Sequence, residues 1–114
     1  MTKELPLQLS HVNKIKDLTI SWAKSVDIKL HNIQTVVPFV LTDKSLGVWL
    51  FFDNDQLVQT YNKNGVTDNV KQKYLDFLKN DNYPADYLAQ VTFFVDSHEN
   101  VVKNFEGSYF YRLR

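Results

Sequence analysis

The spacing of apolar residues divides the chain into segments of two periods. Between His11 and Asp27 the apolar residues Val12, Ile15, Leu18, Trp22, Ala23 and Val26 recur. Steps of three and four put them on one stripe, which predicts a helix over 11–27 capped by Ser10. Lys29 to Asn32 reads as a connector. Thr35 to Leu41 has β-strand character, but Pro38 cannot donate to a ladder and places that strand at an edge or bulge. A turn at Asp43-Lys44-Ser45 follows. Leu46 to Phe52 is apolar on both faces and reads as a central strand. Asp53-Asn54-Asp55 predicts another turn, Gln56 to Tyr61 a third strand, and Asn64-Gly65 the turn that closes it.

A second helix begins near Thr67 or Asp68, because Val70, Tyr74, Phe77 and Leu78 recur at helical spacing. Asn80, Asp81 and Asn82 stop it, and Pro84 introduces a short helical turn over Ala85 to Leu88. Val91 to Val95 is the next strand, and Asp96 to Asn100 a turn. Alternation of Phe105, Gly107, Tyr109, Tyr111 and Leu113 predicts a last strand, with a bend at Gly107. The order is α-β-β-β-α-β-β. Strands joined by short polar turns must run antiparallel, since parallel neighbours need a long crossover. The expectation is an α+β domain, residues 1–114, with an antiparallel five-stranded sheet and two helices on one face.

Composition narrows the function. The 114 residues contain no cysteine, which excludes a disulfide scaffold, a Cys-ligated metal and a thiol nucleophile. Hydrophobic residues make up 44%, too many for a disordered chain. Thirteen basic residues balance thirteen acidic ones, so nothing favours nucleic acid or an anionic membrane as partner. Met1-Thr2-Lys3-Glu4 lacks a basic cluster and the apolar run after it is interrupted, so no signal segment is read. The longest apolar block, Val48 to Phe52, falls far short of a membrane span. A cytoplasmic location is the expectation.

Motifs for catalysis are missing. His11, His31 and His98 lie in separate elements with no metal-ligand spacing, and no serine sits in a nucleophile elbow. Glycines stand only at 47, 65 and 107, so no loop cradles a phosphate. Asp53 and Asp55 resemble the start of a calcium loop, but its glycine and its distant glutamate are absent. Tyr109, Phe110 and Tyr111 fit a sheet core better than a base-stacking platform, because few basic residues interleave with them. No cofactor, metal or catalytic residue is expected.

The zero net charge is a cancellation. Residues 51–100 carry a net −4 between two flanks of +2 each. The acids of the middle segment fall on expected turns and helix ends, which points to a local acidic rim.

The stretches "GVWLFFDNDQLVQTY", "VKQKYLDFLKNDNYP" and "QVTFFVDSHENVVKNFEGSYFYRL" follow one another as strand pair, helix, and strand–acidic turn–strand. This layout resembles the small α+β immunity proteins that neutralise bacterial toxins, among them YezG-type antitoxins and contact-dependent-inhibition immunity proteins. The resemblance implies a non-enzymatic inhibitor that binds a cognate toxin domain. Asp53, Asp55, Asp81, Asp96 and Glu99 would then pair with basic toxin residues, and Tyr61, Tyr83 or Tyr87 would supply aromatic anchors.

Two other classes remain open. A small-molecule-binding domain or small enzyme would line a pocket between sheet and helices with Trp22, Trp49, Phe51, Phe93 and Tyr111. His31 or His98 beside an aspartate would be its acid/base group. A structural protein would assemble through an edge strand, the strand ending at Arg114 being the unprotected one.

Overall fold

The computed structural model describes residues 4–113; Met1 to Lys3 and Arg114, the end of the expected last strand, lie outside them. Strand β2 (Leu46–Phe52) organises the rest. It coincides with the expected central strand and carries no polar side chain, so both of its faces and both of its edges must be covered. On one edge it pairs antiparallel with β1 (Leu30–Val36), and on the other it pairs parallel with β3 (Val91–Ser97).

Leu46, Val48, Leu50 and Phe52 point to the first face, into a core shared with Val12, Ile15, Ile33, Val70, Tyr74 and Leu78. Helix α1 (Leu9–Ser25) supplies Val12, Ile15, Thr19 and Ala23 to it. The expected cap Ser10 lies inside this helix, its hydroxyl donating to the Leu7 carbonyl. Gln8 holds the start instead. Its buried amide donates to the Asp43 and Ser45 carbonyls, both at 3.0 Å, tying α1 to the β1–β2 connection.

Three helices fill the connection from β2 to β3. They are α2 (Asp55–Lys63), α3 (Val66–Asn80) and α4 (Ala85–Leu88). Here the sequence expectation is overturned, because Gln56 to Tyr61 is helical. Asn54 Oδ1 accepts from the Leu57 amide at 2.9 Å and starts α2. The helix then turns Leu57, Val58 and Tyr61 inward, a spacing of one and four that a helix gathers on one side and a strand would split between two faces. With 53–90 a helical crossover, β3 lies parallel to β2 rather than antiparallel.

The second departure is at the C-terminus, where 101–113 forms no strand. Ser97 caps α5 (His98–Asn104) and Ser108 caps α6 (Tyr109–Arg112), each hydroxyl accepting an amide of the first turn. Between the two helices Glu106 (φ 55°) and Gly107 (φ 74°) take the left-handed conformation, which reverses the chain and prevents a continuous strand. The segment folds over the second face of the sheet. Tyr109 meets Phe51 edge-on at 4.7 Å, and the Arg112 guanidinium lies 4.6 Å over Trp49. Arg112 Nε also donates to Asp96.

The fold is therefore α+β, with six helices among the described residues and a mixed three-stranded sheet in the order β1-β2-β3. It is not an antiparallel five-stranded sheet with two helices on one face. The strand expected over 35–41 ends at Val36 and begins earlier, at Leu30, since Pro38 interrupts the ladder. No helix among the described residues is long and apolar enough to cross a membrane.

Phe51 is fully buried beneath Tyr109, so Phe51→Ala should cost about 3–5 kcal/mol in urea unfolding. Tyr74 is fully buried with its hydroxyl unpaired, and that burial raises its pKa. Tyr74→Phe should therefore be neutral or stabilising by up to about 1 kcal/mol. A loss as large as that at Phe51 would show that the hydroxyl has a partner.

Candidate functional site

The carboxyl ends of β2 and β3 bring together residues from four elements, the position at which open α/β sheets bind ligands. Asp53 follows β2, and Ser97, His98 and Glu99 mark the passage from β3 into α5. A bulge in β1 between Leu30 and Asn32 turns His31 toward the same place. His31 and His98 stack with ring centroids 3.8 Å apart and planes within 15°. His31 Nδ1 stands 3.6 Å from Asp53 Oδ1, and His98 Nδ1 shares a 2.6 Å hydrogen bond with the Tyr109 hydroxyl. Burial, with His31 second, lowers the His98 pKa below its ordinary value, against the pull of Asp53. Burial raises that of Tyr109.

Four of the five expected rim acids converge here: Asp53, Asp55, Asp96 and Glu99. Most are engaged within the chain. Asp55 accepts from the Ser97 hydroxyl, and Glu99 accepts from the Asp55 amide at 3.0 Å and pairs with Lys103. Asp96 resists the upward push of its burial because Arg112, Asn100 and the Ser97 amide all donate to it, which leaves its pKa low. Asp53 differs. Its side chain is 43% exposed, and among the described residues its ion-pair partner is His31, equally exposed. The pair opens on a cavity of about 330 Å³ whose walls include Ile20, Lys24 and Leu30. Among the described residues no three His, Cys, Asp or Glu side chains meet as metal ligands.

Asp81, Tyr83 and Tyr87 lie elsewhere, around the end of α3. Asp81 accepts from Lys14 at 2.9 Å and His11 at 2.7 Å, and these donors hold its carboxyl below the usual range. Tyr83 is buried between His11 and Tyr87, so it forms part of a latch from α1 to α3 and presents no anchor. Tyr61, the other expected aromatic anchor, is also buried, its hydroxyl accepting from the Lys29 amide.

The aromatic surface that does face outward was not expected. Past β1, Phe39 is 99% exposed and Val40 62%, with Leu41 beside them. Val36 and Phe94 continue this apolar ridge onto the second face of the sheet. They approach each other across Gly47, where an added Cβ would sit 3.6 Å from both. Pro38 was the signal: by ending the strand at Val36 it turns Phe39 out of the ladder.

No model of a protein family, no curated protein and no solved structure matches the chain.

The low pKa of His98 fixes the sign of a pH effect. The unfolded chain takes up a proton as pH falls through about 6.5, whereas folded His98 does so only below that. Stability is thus complete above that pH and declines as pH falls toward the folded value. Urea midpoints measured between about pH 7.5 and pH 5 should show the decline, and His98→Gln should flatten it. An unchanged slope in the variant would rule out His98 as its source.

Proposed function

We propose that this protein is a non-enzymatic binding protein that neutralises a bacterial toxin domain by docking on it. The exposed ridge of Phe39, Val40 and Leu41, continuous with Val36 and Phe94, carries this reading. Large apolar side chains so fully in water lower the free energy of the system most when a protein surface covers them. Aromatic residues ringed by polar ones are the usual anchors of such interfaces. The partner class comes from the resemblance of the chain's layout to small immunity proteins. Asp53, the least engaged of the four clustered acids, would add a charge contact at the other end of the sheet.

The test is co-expression with a toxic product of the neighbouring reading frame. The wild-type chain should restore growth and form a complex. Phe39→Asp with Val40→Asp should raise Kd more than about tenfold. Both positions are solvent-exposed, so melting should stay close to wild type. Full protection by the double variant would remove the ridge from the interface, and failure of the wild-type chain to protect would remove the reading itself.

A second reading rests on His31 and Asp53 beside the 330 Å³ cavity, which together offer a proton acceptor at the mouth of a small-molecule site. On that reading a small molecule co-purifies with the protein and is lost in His31→Ala. Native mass spectrometry that finds no adduct on the wild-type protein would count against it.

A further inference from the structure

We propose that β3 pairs edge to edge with β3 of a second copy of this chain. The direction in which its main chain faces follows from its pairing with β2. The Leu46 amide donates to the Gln90 carbonyl, and Leu46 lies opposite Val91. In a parallel ladder the even-numbered residues Thr92, Phe94 and Asp96 therefore turn their N–H and C=O groups to β2. Val91, Phe93 and Val95 turn theirs outward, and no described residue hydrogen-bonds to them.

The other edge of the sheet is protected. By the same logic Ile33 and Thr35 of β1 face outward, but the Asn32 side chain accepts from the Ile33 amide at 2.9 Å. The bulge at His31 and Pro38 beyond Val36 further blunt that edge. On β3 only the far end is sealed, where Asp96 Oδ1 accepts from the Ser97 amide. Val91 to Val95 contains no proline, lysine or bulge.

A second β3 fits this edge by its own symmetry. A two-fold axis at Phe93 sets Phe93 against its equivalent and Val95 against the partner's Val91. Each facing pair exchanges two main-chain hydrogen bonds, which satisfies every outward group. Asp96, the sole charged residue of β3, then meets the partner's Gln90 rather than another carboxylate. Residues directly opposite share a face, so the partner's Val91 side chain enters a groove of about 190 Å³ beside Val95. Val58 and Thr67 form part of its wall. Val58 and Val95 are its apolar members, and Gln59, Asn62 and Lys71 complete its lining.

Sedimentation of the full chain should give the mass of two chains, dissociating on dilution. Val95→Pro removes an outward amide and spares the β2 ladder, so it should sediment as a monomer with an unchanged circular dichroism spectrum. A positive test needs no refolding argument, because the chain has no cysteine of its own. The pairing places Thr92 opposite the partner's Phe94 as a non-hydrogen-bonded pair, about 4.5 Å between Cα atoms, which suits a disulfide. Thr92→Cys and Phe94→Cys chains should cross-link when mixed and oxidised, and neither should cross-link alone. A single-chain mass at the highest soluble concentration, or equal cross-linking of each variant alone, would overturn the proposal.

Discussion

The parallel pairing of β2 with β3 is the constraint on which the rest of this structure depends. Two strands that run the same way cannot be joined by a turn, so the chain must leave the sheet after Phe52 and return to its opposite end at Val91. The helices α2, α3 and α4 are that return path. Packed with α1 on one face of the sheet, they cover Leu46, Val48, Leu50 and Phe52. The same pairing aligns the carboxyl ends of β2 and β3, which is why Asp53, Asp55, His98 and Glu99 meet. Neighbouring strands of an antiparallel sheet would have sent those residues to opposite ends.

The central strand was legible because its signal does not depend on context: seven residues without a polar side chain have few places in a small domain. The two longer helices were legible for a related reason, their stripes being long enough to distinguish a period of 3.6 from one of two. Gln56 to Tyr61 was too short for that distinction. Its helical state is decided by Asn54, one residue outside it, which caps the helix with its side chain. The alternation from Phe105 to Leu113 misled for a different reason. Glu106 holds a positive φ although it is not glycine, and serine caps on either side of that reversal favour two short helices over one strand.

The candidate site was legible in composition but not in role. An acidic cluster at the turns was expected, and four of its members do assemble. Sequence could not show that their lone pairs are already used: Asp96 by Arg112 and Asn100, Asp55 by Ser97, Glu99 by the Asp55 amide. These bonds join residues 16 to 44 positions apart, except the local one from Asn100, so no local pattern records them. Once those acids are committed to the fold, Asp53 with its histidine is the member of the cluster left most open. The histidine stack has no sequence signal either, since a bulge in β1 and the start of α5 create it jointly.

The incomplete cover on the second face follows from dimensions. Neighbouring strands lie about 4.8 Å apart, so three of them present a surface roughly 10 Å across before side chains are counted. Helix α6 has four residues and is about 6 Å long. Anchored by Tyr109 on Phe51 and by Arg112 on Trp49, it reaches the middle strand and stops. Phe94 in β3 stacks on Trp49 at 4.7 Å and remains 42% exposed. Val36 stands exposed on the other side of Gly47. The second face, three strands wide and crossed by a strap of four residues, thus keeps both Phe94 and Val36 in contact with water.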